Sequence, residues 1–239
     1  MKITDFLITE NEDWVALNKP SGLLSIPDRE GKDISLKTLL RERYGSIFTV
    51  HRLDRDTSGL IIFAKNETSH KFLSQQFENR QTIKIYHGLL MGVPTERTGN
   101  IDAPIAEHPA GNGTMIVHRK GKEALTDYEV LESYNAYSWV KFRIHTGRTH
   151  QIRVHAKQLG HPVVCDMIYG DGKPLLLSSL KRKKFKLSKN ELEERPLLHR
   201  LALHASTLEF TDAEGKSVLL EAELPKDLRA VNQQLRKWS

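Results

Sequence analysis

Short stretches of alternating or continuous apolar residues recur along most of the chain, and this pattern is typical of β-strands. In 137–144, for example, Val140, Phe142 and Ile144 alternate with Lys141 and Arg143. Strands are predicted at 6–9, 14–18, 59–65, 82–91, 125–131, 137–144, 203–210 and 218–224. Many strands in meander-like order with scattered helices predict an α+β fold, with a mixed, mostly antiparallel central sheet and flanking helices.

Helical spacing of apolar residues appears in four places. Ser35 is the expected N-cap of one helix, and Gly45 is expected to end it. Thr149 is the expected N-cap of a second helix that reaches Leu159. Two further helices are predicted at 68–79 and 226–238.

Composition limits the class of protein. A chain of 239 residues can form one domain with a sizeable core, and we expect a single domain over 1–239. The net charge of +6 is compatible with a polyanionic partner but does not establish one. The single cysteine, Cys165, excludes an internal disulfide, and the N-terminal residues do not resemble a secretory signal. Because the chain has no disulfide framework, a reducing cytosol is the simple interpretation, and we expect a cytoplasmic protein. No apolar run reaches the length of a membrane span.

Residues 170–198 differ from their surroundings, since they combine Gly, Pro and Ser with the basic run 181–189. We interpret this segment as an exposed basic insertion between two strands. It has two alternative roles, either a solvated loop or a contact for RNA phosphates in which Phe185 stacks on a base.

Polar residues crowd together at 51–58, directly before a predicted buried strand. In an extended stretch Arg52 and Asp54 share one side, and neighbouring arginines favour the ionised form of the carboxylate. An ionised carboxylate can act as a nucleophile or a general base. The alternative role of Asp54 is a structural ion pair, and we interpret 56–59 as a turn in which Gly59 adopts a special dihedral angle.

The segment 144–155 predicts a strand, a turn at Gly147 and a helix. Such a junction presents backbone amides, to which Arg148, His150 and Arg153 add hydrogen-bond donors, so it is suited to an anion. The histidines at 145, 150 and 155 are five residues apart, which does not place metal ligands on one helix face. We therefore expect no metal site and interpret these histidines as structural residues.

Several motifs occur in a fixed order across 14–210, and together they resemble the RluA-type pseudouridine synthases. The motifs that carry the resemblance are Asn18-Lys19-Pro20-Ser21-Gly22-Leu23, His51-Arg52-Leu53-Asp54 with Thr57-Ser58-Gly59, the segment 146–155 followed by Leu159-Gly160-His161-Pro162, Asp166 and Tyr169-Gly170, and Leu203-His204-Ala205. The resemblance implies a mixed sheet with a central cleft. It also implies that no cofactor or metal is required.

The resemblance further implies roles for individual residues. Asp54 corresponds to the catalytic aspartate, Tyr86 to the tyrosine that packs on the target uracil, and Arg153 to the arginine that pairs with the aspartate. Arg52 corresponds to an arginine near the flipped nucleotide. In the implied reaction the N1–C1′ bond of a uridine breaks, the uracil rotates and a C5–C1′ bond forms. Asp54 either attacks the nucleoside or takes a proton from the ribose, and Tyr86 or a water helps to remove the C5 proton.

The expected partner is RNA, namely tRNA, 23S ribosomal RNA or both. We expect no DNA or membrane partner and a monomeric protein. Besides Arg52, the predicted RNA contacts are Arg55, Lys84, Arg148, His150, Lys181, Arg182 and Lys183. Many relatives carry an S4-type RNA-binding domain, which we do not expect here. Two other functions remain open: an inactive RNA-binding chaperone of the same fold, and a nucleosidase-like hydrolase that uses Asp54 and Asp56 as a carboxylate pair.

Overall fold

The computed structural model describes residues 2–28, 31–111, 113–181, 184–186 and 193–238. The chain divides into two compact units, and each unit is assembled from several segments. The first unit comprises Met1–Tyr86, Arg143–Thr146 and Leu203–Glu223. The second unit comprises His87–Phe142, Gly147–Ala202 and Leu224–Ser239.

The elements confirm the predicted α+β class. The strands are β1 (Leu7–Glu10), β2 (Trp14–Lys19), β3 (Phe48–Thr49), β4 (Ser58–Ala64), β5 (Ile83–Met91), β6 (Thr98–Asp102), β7 (Ile105–Glu107), β8 (Met115–Val117), β9 (Leu125–Ser133), β10 (Tyr137–Ile144), β11 (Leu203–Thr211) and β12 (Ser217–Glu221). The helices are α1 (Leu36–Tyr44), α2 (Glu67–Glu78), α3 (Gln151–Gln158), α4 (Leu177–Lys181) and α5 (Lys226–Trp238), and a 3-10 turn covers Ile3–Asp5.

In the first unit the strand order is β1-β2-β4-β11, followed by the beginning of β5, with β3 paired to β4 and β12 paired to β11. All seven residues of β4 are buried, which explains why its sequence is continuously apolar instead of alternating. Strand β4 pairs antiparallel with β2 and parallel with β11, so the sheet is mixed. Trp14 and Phe210 pack edge-on in the core on one face, with ring centroids 5.5 Å apart.

The start of β4 depends on Gly59, whose φ is +118°. A Cβ atom at this position would lie 2.1 Å from the backbone oxygen of Ala205 on β11, so only glycine fits. Beside it, the Nδ1 atom of His204 lies 3.0 Å from the hydroxyl of Ser58. The expected special dihedral of Gly59 is confirmed, and the contact explains why the late motif at 203–205 accompanies the motif around Asp54.

In the second unit the remainder of β5 is followed by β10, β9 and β6, and β7 and β8 form a separate two-stranded antiparallel sheet. Strands β6 to β8 were not predicted, because they are short and β6 is mostly polar. Within the predicted insertion, α4 forms, and the backbone N–H of Leu175 donates to the oxygen of Leu198 at 2.8 Å. This bond joins the two ends of the insertion.

The predicted N-cap at Thr149 is wrong. Helix α3 begins at Gln151, and His150 occupies the N-cap position in the left-handed region with φ of 56°. The side chain of Gln151 accepts from the backbone N–H of Arg148 at 3.0 Å, which satisfies a donor just ahead of the helix. Across the described ranges, no helix is long and apolar enough to cross a membrane.

Candidate active site

Asp54 lies in a tight turn directly before β4. Its backbone oxygen accepts from the N–H of Thr57 at 3.2 Å, and its side chain is half-buried. Leu53 on one side and Thr57 on the other are buried, so the turn is anchored at both ends. This arrangement fixes the position of the Asp54 backbone relative to the first residues of β4.

A buried lysine ties this turn to the segment after β2. Lys19 has no exposed surface, and its ammonium donates to the backbone oxygens of Pro20 at 3.0 Å, Leu23 at 2.8 Å and Arg55 at 2.8 Å. An ammonium has three donors, and three carbonyl acceptors compensate for its removal from water. The sequence motif containing Lys19 therefore acts on the residue next to Asp54, a role that sequence reasoning missed.

Two serines of the same segment fix the turn further. The hydroxyl of Ser25 donates to the oxygen of Leu53 at 2.8 Å and accepts from its N–H at 3.1 Å. The hydroxyl of Ser21 donates to the oxygen of Asp56 at 2.7 Å. Backbone groups on both sides of Asp54 are thus held by side chains from a single segment, which limits the motion of the carboxylate.

Tyr86 lies near the Asp54 carboxylate in the first unit. It is 9% exposed and shares the buried face of β5 with Lys84. Burial, and then the negative charge of Asp54, raise the pKa of the Tyr86 phenol far above its ordinary value. The phenol therefore keeps its proton at neutral pH.

Lys84 and His51 both lie close to the aromatic ring of Phe77. The His51 ring stacks on Phe77 with centroids 4.6 Å apart, and the Lys84 ammonium lies 5.6 Å from the same ring. Burial, and then the charge of Lys84, lower the pKa of His51 to about 3, and its Nε2 atom accepts from the N–H of Ile62 at 3.1 Å. Burial, and then the charge of Arg80, lower the pKa of Lys84. Lys84 is only 8% exposed, so RNA could contact it only by reaching into the interior of the site. The predicted contact of Lys84 with RNA stays a prediction.

Neutral His51 makes the stability of the fold depend on pH. In the unfolded chain a histidine binds a proton below a pH of about 6.5, whereas in the fold His51 does so only near 3. The unfolded state therefore binds more protons between these values, and the free energy of unfolding decreases as the pH falls through this window. We expect wild type to lose roughly 2 kcal/mol more than His51→Gln between pH 7 and 4.5, measured by urea unfolding.

The glutamine preserves an acceptor for Ile62 and removes the titrating group. His199→Gln, at an exposed position, is the matched control and is expected to follow wild type. Parallel pH profiles for wild type and His51→Gln would contradict the assignment.

In the second unit, Arg153 projects from α3 into a buried ion pair. Its Nε and Nη2 atoms donate to the two carboxylate oxygens of Asp166, each at 2.7 Å, and both side chains are almost fully buried. Backbone N–H groups of Ile168 and Tyr169 donate to the same carboxylate at 2.9 and 3.0 Å. Burial alone would raise the pKa of Asp166, but Arg153 and these N–H groups outweigh it and hold the pKa below its ordinary value. Asp166 is thus a partner of Arg153 that sequence reasoning missed.

The expected pairing of Arg153 with Asp54 stays a prediction, because Asp54 belongs to the first unit. The Arg153 guanidinium also lies over the Tyr169 ring, 5.0 Å from its centroid.

The hydroxyl of Tyr169 connects two further elements. It accepts from the N–H of Met115 on β8 at 2.8 Å and lies 2.8 Å from the Nδ1 atom of His150. The His150 and Tyr169 rings also meet edge-on, with centroids 5.5 Å apart. These contacts stabilise the unusual positive φ of His150, and the predicted contact of this residue with RNA stays a prediction.

Arg148 borders a cavity of about 470 Å³ in the second unit. Its Nε atom donates to the backbone oxygen of Glu123 at 2.9 Å, which orients the guanidinium. Lys120 and Lys122 from the segment after β8 line the same cavity, together with Gly147. Three cationic side chains and one acidic side chain, Glu107, thus line one space, and binding of an anion at this junction stays a prediction.

The other predicted RNA contacts that the structure describes are Arg52, Arg55 and Lys181. Arg52 is exposed, and so is Arg55, whose Nη1 atom lies 2.9 Å from a carboxylate oxygen of Asp33. Lys181 ends α4, whereas Arg182 and Lys183 lie outside the described residues. In the part of the chain that the structure describes, no group of three His, Cys, Asp or Glu side chains is placed to hold a metal ion.

Solved structures with the same architecture cover nearly the whole chain. Human RNA pseudouridylate synthase domain containing 4 superposes with a TM-score of 0.76 at 26% identity, covering 98% of this chain and 94% of the other. Human RNA pseudouridylate synthase domain containing 1 gives a TM-score of 0.70 at 27% identity, covering 97% and 94%.

Sequence relatives agree with the structures. An RNA pseudouridine synthase of Zymomonas mobilis is 38% identical, over 88% of this chain and 89% of its own length. One of Aquifex aeolicus is 41% identical over 69% of this chain but only 55% of its own length, and ribosomal large subunit pseudouridine synthase D of Pseudomonas aeruginosa is 36% identical over 92% and 68%. The sequence profile of the RNA pseudouridylate synthases matches residues 13–158. The chain therefore belongs to the RNA pseudouridine synthase family, with the RluA-type character that its motifs resemble.

Proposed function

We propose that the protein is an isomerase that converts specific uridines of RNA to pseudouridine and that Asp54 supplies the catalytic carboxylate. The observation that carries the proposal is the Asp54 turn, which the buried ammonium of Lys19 and two serines cross-link and which lies within electrostatic reach of Tyr86. A carboxylate on a backbone that is held in this way is preorganised for chemistry. Family membership supplies the reaction class.

The reaction requires an ionised Asp54 on either path. The carboxylate either attacks the nucleoside or removes a proton from the ribose while the N1–C1′ bond breaks. After the uracil has rotated, C5 bonds to C1′; on the first path the bond between Asp54 and the nucleoside breaks, and on the second path Asp54 returns the proton to the ribose. C5 then loses its proton and N1 gains one, so nothing is released from the RNA. A target base stacked in a helix must first be extruded, which costs roughly a few kcal/mol.

Tyr86 is proposed to pack against the extruded uracil and not to act as a base. Its raised pKa keeps the phenol protonated, and a protonated phenol cannot accept the proton from C5. The raised pKa of the phenol thus argues against Tyr86 as the acceptor of this proton.

Tyr86→Phe tests this assignment. Phenylalanine keeps the aromatic face and removes the hydroxyl, so we expect the single-turnover rate to remain within about tenfold of wild type, whereas loss of a general base lowers rates by about 10²–10⁴. Tyr86→Ala, which also removes the ring, is the comparison and is expected to be much slower. A thousandfold loss in Tyr86→Phe would assign the base role to the hydroxyl.

Ribosomal large-subunit RNA is the favoured substrate, because several relatives are named ribosomal large subunit pseudouridine synthase D. Transfer RNA is the second candidate. The proposed RNA contacts are Arg52, Arg55, Lys84, Arg148, His150, Lys181, Arg182 and Lys183. The strongest structural support is at Arg148, because two lysines share its cavity. We expect a cytoplasmic monomer that needs no cofactor.

Pseudouridine mapping across total RNA tests the function and identifies the substrate. Wild-type cells, a deletion strain and the strain complemented with the intact gene are compared. Sites that disappear on deletion and return on complementation would assign the activity and the target RNA. An unchanged map would favour an RNA chaperone of the same fold, and free uracil released by the purified protein would favour the hydrolase.

A further inference from the structure

One tryptophan of the second unit, Trp238, has three lysine ammonium groups close to its ring. The Nζ atoms of Lys181, Lys237 and Lys184 lie 5.0, 5.4 and 6.0 Å from the centroid of the Trp238 ring. Lys181 ends α4, and Trp238 and Lys237 lie in the last turn of α5. We call these four residues the Trp238 patch.

The Trp238 patch is accessible to a ligand. Lys184 and Lys237 are exposed, and Trp238 is half-buried. The other two tryptophans, Trp14 and Trp139, are 7% and 3% exposed and belong to the interior. Trp238 is therefore the indole that a molecule in solution can reach.

The charges of the patch favour an anionic ligand. One ammonium near an exposed indole makes a modest favourable contact. Here three ammoniums share one ring, so they also repel one another. A polyanion relieves this repulsion, because each ammonium can move from the ring to a phosphate.

The indole makes the choice of ligand more specific. Removal of an aromatic side chain that stacks on a base weakens binding by about fivefold or more per base, and lysines beside the ring can hold the adjoining phosphates. A paired base inside a duplex does not offer its face, so the ligand must contain unpaired nucleotides. An acidic peptide carries charge but no such bases.

We propose that the Trp238 patch is a second RNA-binding surface, which holds an unpaired segment of the substrate RNA. The proposal rests on the proposed function, because that function supplies the RNA. The patch consists only of second-unit residues, whereas Asp54 and Tyr86 belong to the first unit. Its contribution is affinity for the RNA and not chemistry.

Tryptophan fluorescence tests the stacking directly. The probe is a decamer of oligoadenylate, which contains no uridine and therefore cannot be isomerised. We expect the decamer to quench the emission of the wild-type protein, and we expect Trp238→Phe to lose this quenching because the remaining indoles are buried. Persistent quenching in Trp238→Phe, or equal quenching of wild type by poly-glutamate, would overturn the proposal.

Affinity is measured with a labelled decamer. Trp238→Ala is expected to weaken binding at least about fivefold, whereas Trp238→Phe retains a stacking face and stays closer to wild type. Melting temperatures are recorded for both variants. If the alanine variant is unfolded, the phenylalanine variant and the lysine variants test whether the Trp238 patch binds RNA. The affinity for a duplex of the same length is measured as well. If the protein bound the duplex and the single strand equally tightly, stacking on Trp238 would be contradicted.

Salt dependence tests the lysines. Replacing Lys181, Lys184 and Lys237 together by alanine is expected to lower the slope of log affinity against log salt by about 2, since each single-strand phosphate contact contributes about 0.7. The matched control replaces Lys32, Lys71 and Lys216, which are also exposed, and removes the same net charge. Equal effects of the two triple variants on the slope would show that only the net charge of the protein matters, and would contradict a specific role for the Trp238 patch. Because no turnover is involved, failure of this test leaves the assignment of Asp54 intact, and failure of that assignment leaves this test valid.

Discussion

Asp54→Asn is expected to reduce pseudouridine formation by at least about a thousandfold, because an amide can neither attack the nucleoside nor take a proton from the ribose. Asparagine has nearly the same shape as aspartate, and the turn is held through the backbone oxygen of residue 54, which the substitution retains. The protein should therefore fold normally and bind RNA as wild type does. The measurement is single-turnover conversion of a transcribed target RNA, quantified by nucleoside chromatography, with RNA affinity measured in parallel.

Asp56→Asn is the matched control for this variant. Asp56 lies two residues away in the same turn, is exposed, and is held to Ser21 through its backbone oxygen. We expect its activity to stay within a few-fold of wild type. If both variants lost activity equally and wild type released free uracil, the carboxylate pair of a hydrolase would explain the site better than a single catalytic aspartate.

The elements that frame the turn were readable from local sequence. Ser35 caps α1 by accepting from the N–H of Thr38 at 3.1 Å, and Gly45 ends it with a φ of +76°. Both signals act within one turn of helix, so they are visible in the sequence itself. Strand β4 was equally clear, since a continuous apolar run must be buried on both faces.

The contacts that position the chemistry were not readable in this way. Lys19 binds the backbone oxygen of Arg55, which lies 36 residues along the chain, and its sequence neighbours give no sign of this. The start of α3 was misplaced because a left-handed histidine there is held by Tyr169, 19 residues away. Local sequence made Asp54 a candidate catalytic carboxylate, but only the resemblance to a family assigned a role to Tyr86, since the proximity of the two side chains is a property of the fold.

Asp166 shows the same limitation and leads to the second large effect. Asp166→Ala is expected to decrease the free energy of unfolding by roughly 3–5 kcal/mol, because it leaves the buried guanidinium of Arg153 without its carboxylate. The pair lies in the interior, with side-chain exposures of 4% for Arg153 and 0% for Asp166. Urea unfolding at pH 7 measures the change.

Asp227→Ala is the matched control within the same unit. Asp227 binds Arg200 through the same two-bond geometry, with both N–O distances at 2.7 Å, but these side chains are 37% and 14% exposed. Water can solvate the charges that remain, so we expect a loss of no more than about 2 kcal/mol, including the hydrogen bond that Asp227 accepts from the N–H of Leu228. Equal losses in the two variants would show that burial does not set the cost.

A double variant separates the structural role of Arg153 from its predicted catalytic role. Replacing a buried ion pair by apolar residues of similar volume is often neutral or stabilising, so Arg153→Met with Asp166→Leu is expected to recover most of the stability lost in Asp166→Ala. If Arg153 also acts in the reaction, the recovered protein will still be about a hundredfold or more slower than wild type in single turnover. If its activity returns together with its stability, Arg153 serves only to hold α3 in place, and the catalytic assignment rests on Asp54 alone.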